Sequence, residues 1–164
     1  MKSNADKVSA AKDAAMKALA GRDLTRSEII ALLVQRRFTS VVAEAAVLEL
    51  ETLGIIDDRR VATVYLQRRL EEEKPARALL EAEMLERGLD PGLVETVLHE
   101  ALNARDEGLE ALELARDRVR RSRPDLTPEV IRRRVFAFLS RRGYDEETAR
   151  HAVETAADEY LGRP

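Results

Sequence analysis

The stretch RALLEAEMLERGLDPGLVETVL, residues 77–98, decides the fold. Leu80 and Met84 stand four residues apart, which places two apolar side chains on one face of a helix. Gly88 follows this run and is typical of the residue just beyond a helix end. Asp90 is typical of the residue that caps the start of a new helix. The stretch therefore predicts a helix, a short turn and a second helix.

The same pattern occurs three times along the chain. When the copies are aligned on Phe38, Leu89 and Tyr144, apolar residues recur nine and five residues before this position and nine residues after it. The matching sets are Ile29, Leu80 and Val135; Leu33, Met84 and Leu139; and Val47, Leu98 and Val153. Because one such apolar stripe is too small to be stable alone, each copy is expected to stack on its neighbour.

Start and stop signals over the whole chain predict nine helices. Gly21, Gly54, Gly88 and Gly143 mark helix ends, and Thr25 with Glu28, Asp90, Thr127 and Asp145 mark helix starts. The predicted helices span about 8–20, 26–36, 40–53, 58–72, 76–87, 91–103, 106–121, 128–141 and 146–160. Apolar residues make up 45% of the chain and aromatic residues only 4%, and no segment alternates with the period of a strand. The predicted fold class is all-α, an elongated array of three tandem three-helix (helix-turn-helix-like) repeats.

The repeat alignment also predicts boundaries. We expect a flexible N-terminus over residues 1–10 and a short tail over residues 161–164. The repeats between them are assigned to residues 11–56, 57–104 and 105–160.

Several classes of function are disfavoured by the residues that the sequence lacks. The absence of cysteine excludes a disulfide scaffold, a thiolate metal site and a cysteine nucleophile. His99 and His151 have no third ligand at metal spacing, and no phosphate-binding glycine loop or catalytic triad motif occurs. Charged residues interrupt residues 1–20, which therefore predict neither a signal peptide nor a membrane span. We expect a cytoplasmic protein that is not an enzyme and has no metal and no cofactor.

Charge is distributed unevenly along the chain. Residues 44–113 carry 8 basic and 18 acidic side chains, whereas residues 114–142 carry 10 basic and 3 acidic side chains. The ten basic residues are all arginines: Arg116, Arg118, Arg120, Arg121, Arg123, Arg132, Arg133, Arg134, Arg141 and Arg142. Since guanidinium groups bind carboxylates and phosphates in planar two-point geometry, these arginines are a candidate surface for binding a protein filament or DNA. The alternative is a solvated helical face that pairs with the acidic middle of the chain.

Two other sets of residues are interpreted as structural. Arg36, Arg87 and Arg142 recur at one repeat position, where a positive charge suits the negative end of a helix dipole. Helical spacing places the aromatic residues in the core rather than on a stacking surface. These residues are Phe38, Tyr65, Phe136, Phe138 and Tyr144.

Four segments resemble the RecX family of bacterial recombinase regulators. Residues 24–28, together with Leu33 and Arg37-Phe38, are similar to the family's opening module. The stretch LGIIDDRRVA at 53–62 is similar to the family's most recognisable turn and helix. Residues 80–89 are similar to the second module, and FLSRRGY at 138–144 is similar to the end of the third. Val61 stands where the family usually has phenylalanine or tyrosine, and Pro75 or Ala76 where a glycine commonly starts the fifth helix. The resemblance covers about residues 17–160.

The resemblance implies a function that the residues alone do not reveal. A RecX-like protein is expected to bind the filament of the RecA recombinase on single-stranded DNA and to limit ATP hydrolysis, strand exchange and coprotease activity. We also expect a monomer that makes weak direct contact with DNA and none with a membrane. The residues leave a second reading open, in which the arginines bind nucleic-acid phosphates directly and without sequence preference.

Overall fold

The computed structural model describes residues 3–161, and within this range the chain forms nine α-helices and no β-strand. They are α1 (Asn4–Leu19), α2 (Arg26–Gln35), α3 (Ser40–Thr52), α4 (Asp58–Glu72), α5 (Arg77–Glu86), α6 (Pro91–Leu102), α7 (Glu107–Arg120), α8 (Pro128–Arg141) and α9 (Glu146–Leu161). The predicted all-α class is confirmed, and the helices follow one another as three groups of three, α1–α3, α4–α6 and α7–α9.

The first helix begins at Asn4, four residues before its predicted start. The backbone N–H of Asp6 donates to Ser3 Oγ at 3.1 Å, and the Ser3 N–H donates to Asp6 Oδ2 at 2.9 Å. This is a capping box closed by aspartate rather than by the commoner glutamate. Residues 1–2 of the predicted flexible segment and residues 162–164 of the predicted tail lie outside the described residues.

Left-handed glycines follow α3, α5 and α8, where the sequence predicted helix ends, and a left-handed arginine follows α2. Gly54, Gly88 and Gly143 have φ angles of 68°, 75° and 84°, which only glycine adopts without strain. Gly21 follows the end of α1 but is not left-handed. At the end of α2, Arg37 takes the left-handed conformation with φ 72°, at the repeat position that Gly88 and Gly143 occupy.

The predicted caps are confirmed with one exception. Thr25 and Glu28 form a reciprocal capping box at the start of α2. The carboxylates of Asp90 and Asp145 each accept a backbone N–H three residues further on, at 3.0 and 2.9 Å. Thr127 stands at the N-cap of α8 but makes no side-chain cap bond.

The chain divides into two compact units. Unit 1 contains residues 3–66 and Glu83–Val97, and unit 2 contains Gln67–Ala82 and residues 98–161. Since α4, α5 and α6 each contribute residues to both units, the middle helix group is shared between them.

Each unit has a core in which the first and third helices of a group pack through alanines. In unit 1, α1 and α3 bury Ala11, Ala15, Ala43 and Ala46 beside the larger Ile29, Leu33 and Leu50. In unit 2, α7 and α9 bury Ala111, Ala115, Ala149, Ala152 and Ala156 beside Ile131, Val135 and Leu139. Small residues allow the axes of the first and third helices to approach closely. The larger aliphatic side chains of the second helix then pack against this pair and complete the core. Val61, the departure from the family pattern, is only 3% exposed and fills its position as an ordinary core residue.

Within unit 1, the start of α2 packs on the turn between α5 and α6. Thr25 Oγ1 donates to the carbonyl of Arg87 at 2.8 Å, and Ser27 Oγ donates to the carbonyl of Gly88 at 2.9 Å. A Cβ on Gly88 would lie 2.6 Å from Ser27 Cβ, closer than two carbon atoms can approach. Glycine is therefore needed here for close packing as well as for its φ angle.

The same junction recurs one repeat later, within unit 2. The backbone N–H of Ala76, just before α5, donates to the carbonyl of Arg142 at 2.9 Å. A Cβ on Gly143 would lie 2.5 Å from Leu79 Cβ. The start of the second helix in one group thus rests on the glycine turn of the next group in both places. In the part of the chain that is described, no helix combines the length and the apolar character needed to cross a membrane.

Candidate partner-binding surface

The ten arginines predicted as a binding surface lie on α7, on α8, on the segment between them and, for Arg142, at the C-cap of α8, all in unit 2. Both helices bury one apolar face. The buried positions are Ala111, Ala115 and Val119 on α7 and Ile131, Val135 and Leu139 on α8. Because a helix turns 100° per residue, the arginines between these positions point to different sides of the unit rather than to one.

Two of the arginines lie beside carboxylates of α9, and only the first is hydrogen-bonded. Arg116 donates from Nε and Nη2 to the two carboxylate oxygens of Glu159, at 2.8 and 2.6 Å. This pairing lowers the pKa of Glu159 below its ordinary value. Arg132 Nη2 lies 3.7 Å from Asp158 Oδ1. These carboxylates belong to the acidic end of the chain, whereas the alternative interpretation had placed such partners in its acidic middle.

Arg142 is tied into the unit and shares an aromatic ring with Arg118. The Arg142 guanidinium lies 4.1 Å and the Arg118 guanidinium 5.2 Å from the centre of the Phe138 ring. Arg142 Nε also donates to the carbonyl of Glu73 at 2.9 Å. Cation–π contact and a main-chain hydrogen bond fix its position, so it is the least available member of the predicted set.

The two repeat equivalents of Arg142 behave in the same way. Arg36 Nη1 donates to the carbonyl of Ala14 at 3.3 Å, and Arg87 Nη2 donates to the carbonyl of Asp23 at 3.1 Å. Each of these three arginines thus makes a structural contact within its unit. The carbonyl that each one binds belongs to an earlier segment, however, and not to the end of its own helix.

A polar concavity of about 140 Å³, here the α7–α8 hollow, lies between the end of α7 and α8. It is lined by Arg118, Arg121, Ser122, Arg123, Leu126, Arg134 and Val135. Arg121 pairs with Asp117 at 3.0 Å and Arg123 with Asp125 at 2.7 Å, on exposed side chains. Exposed pairs contribute only about 0 to 1 kcal/mol, so a competing anion can replace either carboxylate at little cost.

A second concavity of about 230 Å³, here the α8–α9 depression, lies between α8 and α9. It is lined by Arg132, Arg133, Phe136, Arg150, Val153 and Glu154. Phe136 and Val153 pack against the core of unit 2 and give the depression apolar walls. Three guanidinium groups and one carboxylate surround them, a mixed character that the α7–α8 hollow lacks.

Three of the ten candidate arginines are exposed and have no partner among the described residues. They are Arg133, Arg134 and Arg141, all on α8. Arg133 lines the α8–α9 depression, while Arg134, the next residue, lines the α7–α8 hollow. Arg133 and Arg134 therefore face two different concavities along the exposed side of α8, and Arg141 lines neither of them.

Arg150 and Glu154 were missed by the sequence analysis. Both lie on α9, in the acidic end of the chain, where a count of arginines finds no cluster. Their i, i+4 spacing indicates a shared face of α9, but only the packing of α9 beside α8 brings that face to Arg132 and Arg133.

The core assignment of the aromatic residues is confirmed for Tyr144, which is 4% exposed. Its hydroxyl donates to the carbonyl of Lys74 at 2.9 Å, and burial raises the pKa of Tyr144 to about 12. Phe38, Phe136 and Phe138 are half-buried against the cores of their units. Within residues 3–161, no group of three or more His, Cys, Asp or Glu side chains is arranged to hold a metal ion.

These features define a class, an all-helical protein of three tandem three-helix modules whose last module carries the basic surface. A family model described as "RecX, third three-helix domain" matches residues 106–153, which hold α7, α8 and the first half of α9. The chain is 33% identical over 147 residues to regulatory protein RecX of Mycolicibacterium smegmatis, an alignment that covers 87% of this chain and 77% of the relative. It is also 33% identical over 141 residues to regulatory protein RecX of Trichlorobacter lovleyi, covering 86% of this chain and 92% of that protein.

The fold is shared with solved structures of the same name. The crystal structure of RecX from Lactobacillus salivarius superimposes with a TM-score of 0.73 and 16% identity, over 93% of this chain and 97% of the other. A second crystal structure of a regulatory protein RecX gives a TM-score of 0.71 over 94% of this chain. The chain belongs to the RecX family, and its relatives bear the name of regulatory proteins.

Proposed function

We propose that this protein is a negative modulator of the RecA recombinase. It binds the filament that RecA forms on single-stranded DNA and limits ATP hydrolysis, strand exchange and coprotease activity. It acts in the cytoplasm as a monomer, by binding and not by catalysis. Membership in the RecX family is the observation that carries this proposal.

The arrangement of charge supports a binding role for the third helix group. Arg133, Arg134 and Arg141 are exposed and unpaired within the described range, and the surface pairs of Arg121 and Arg123 are weak enough to exchange. A nucleoprotein filament presents both carboxylates and phosphates, and guanidinium groups bind either in two-point geometry. We assign the partner-binding surface to these arginines and their neighbours on α7 and α8.

The decisive experiment measures single-stranded-DNA-dependent ATP hydrolysis by the cognate RecA. The protein is titrated from below to above one molecule per recombinase subunit, at fixed DNA and ATP. Inhibition below one molecule per subunit is expected, because a bound modulator acts on more than one subunit of the filament. Unchanged hydrolysis in the presence of folded protein and intact filament would overturn the proposal.

The salt dependence of binding distinguishes a RecA modulator from the alternative, a general nucleic-acid-binding protein. Direct phosphate binding weakens as salt rises, with a log–log slope of roughly −0.7 for each phosphate neutralised on a single strand. Steep salt dependence on naked DNA with no preference for the filament would favour the alternative. Tight filament binding with a slope near zero on naked DNA would exclude it.

A further inference from the structure

We propose that the α8–α9 depression is a docking site for an acidic peptide segment that inserts one large apolar side chain. The inference rests on the proposed function, since the segment would belong to the protein part of the filament, and it names the chemistry by which that partner is recognised. The size, the lining and the charge of the depression together indicate which partner binds there.

The size of the depression fits a single side chain. Its volume of about 230 Å³ is smaller than the roughly 300–1,000 Å³ of pockets that enclose free small molecules. Phe136 is half-buried and Val153 is 4% exposed, so Phe136 provides most of the apolar surface and the core of unit 2 holds both residues in place. A leucine or phenylalanine of a partner would lose water against these two residues, as the central residues of protein interfaces do.

The charge around the depression selects acidic neighbours for that side chain. Arg133 has no partner within residues 3–161, and Arg132 lies 3.7 Å from Asp158, beyond hydrogen-bond length. Arg150 pairs with Glu146 one turn earlier on α9, an exposed pair that a partner carboxylate can replace. With Glu154 as the one carboxylate in the lining, the four charged lining residues carry a net charge of +2. Carboxylates on both sides of the inserted residue complement this charge.

Nucleic acid fits the depression less well than such a peptide. Glu154 repels phosphates and peptide carboxylates alike, but a phosphate gains nothing from Phe136 and Val153, whereas an apolar side chain loses water against them. The α7–α8 hollow, with four arginines and no carboxylate in its lining, is the better phosphate surface of the two. The two concavities therefore differ in the partner chemistry that they accept.

Neighbouring residues provide matched variants for the test. Arg133→Ala and Arg134→Ala each remove one exposed, unpaired arginine from α8, but only Arg133 lines the depression. Glu154→Gln removes the carboxylate that opposes an acidic peptide, and Glu147→Gln removes an exposed carboxylate from α9 outside the depression. Glu154→Gln is expected to bind the peptide more tightly than Glu147→Gln does, and a variant that fails to fold cannot produce tighter binding.

The experiment titrates the full chain with a fluorescein-labelled peptide that has one phenylalanine between flanking aspartates. Fluorescence anisotropy gives the Kd, and amide NMR shifts locate the peptide. Arg133→Ala is expected to weaken binding roughly fivefold or more, while Arg134→Ala changes it less than twofold. Glu154→Gln is expected to tighten binding by about twofold to fivefold, and Glu147→Gln to leave it unchanged. The amides of Phe136 and Val153 should shift, and peptides with serine for phenylalanine or asparagine for aspartate should bind more weakly.

Three results would overturn the inference: no binding at millimolar peptide, equal effects of Arg133→Ala and Arg134→Ala, or oligothymidylate rather than the peptide shifting Phe136 and Val153. Inhibition of RecA by the unsubstituted chain is measured separately. If that inhibition is present while the peptide fails to bind, the docking site is wrong and the proposed function stands. If the peptide binds and RecA is not inhibited, the proposed function fails and the site belongs to another protein partner.

Discussion

The guanidinium of Arg87 and the carboxylate of Glu28 form a two-point ion pair, with Nε and Nη2 donating to Oε1 and Oε2 at 3.0 and 2.8 Å. Glu28 is also the residue that closes the capping box of α2, since the Thr25 N–H donates to its Oε2 at 2.8 Å. One carboxylate therefore stabilises both a helix start and its packing on the α5–α6 turn within unit 1. Burial acts to raise the pKa of Glu28, but the hydrogen bonds from Arg87 and Thr25 outweigh it and lower the pKa below 4.5.

Glu28→Gln should lower the free energy of unfolding by about 1 kcal/mol at pH 7, because glutamine keeps the cap and loses the charge. A carboxyl group whose pKa is lowered by folding contributes stability above its unfolded pKa and loses it as the pH falls through the folded pKa. The difference between wild type and Glu28→Gln should therefore shrink as the pH falls from about 5 to about 3. Urea unfolding followed by circular dichroism at each pH measures the free energy of unfolding of wild type and of Glu28→Gln.

Glu44→Gln is the matched control for this prediction. Glu44 is exposed on α3 and has no ion-pair partner in the described part of the chain. Its replacement should leave the free energy of unfolding nearly unchanged at both ends of the pH range. A pH-independent difference for Glu28→Gln would show that the ion pair with Arg87 does not stabilise the protein.

Gly143→Ala should be far more destabilising than Gly54→Ala. Both glycines are left-handed, and alanine there costs about 1 to 2 kcal/mol in backbone strain. At Gly54 the new Cβ would meet nothing within 4 Å, whereas at Gly143 it would lie 2.5 Å from Leu79 Cβ. Overpacking adds about 1 to 3 kcal/mol at Gly143 only. Equal urea midpoints for the two variants would disprove the close packing at this junction.

The sequence was sufficient to predict the helices because local signals and burial agree at the same residues. Leu80, Met84 and Leu98, which the repeat alignment placed on one apolar face, are all fully buried. Arg37 shows where this agreement ends. No local signal marks an arginine as left-handed, and only its alignment with Gly88 and Gly143 identifies the position.

Arg37→Gly should raise the free energy of unfolding by about 0.5 to 1 kcal/mol. Glycine removes the left-handed strain of Arg37, and its greater freedom in the unfolded chain offsets part of the gain. The Arg37 side chain is exposed and has no partner within residues 3–161, so no contact is lost. Arg37→Ala, which keeps the strain, should not stabilise the protein, and thermal unfolding of both variants distinguishes strain relief from loss of charge.

The candidate surface was less accessible to sequence reasoning than the fold. The density of arginines predicted a binding surface on α7 and α8, but it could not distinguish the surroundings of Arg133 from those of Arg134, which are adjacent in the chain. Their separation depends on α7 packing on one side of α8 and α9 on the other, a relationship between residues far apart in sequence. The contact that fixes Arg142 was not predictable for the same reason, because its partner, the carbonyl of Glu73, lies 69 residues away.

Replacement of Arg133, Arg134 and Arg141 together by alanine should abolish inhibition of RecA while leaving the helical content unchanged. None of the three has a partner to lose in the described structure, and all lie on the exposed side of α8, where alanine favours the helix. Three exposed basic residues of unit 1, Lys7, Lys17 and Arg22, provide a control that removes the same charge elsewhere. If net charge alone attracts the protein to the filament, both triple variants should lose inhibition and both losses should diminish as salt rises. If the surface on α8 makes the contact, only the first variant should lose inhibition, and adding more of it should not restore the effect.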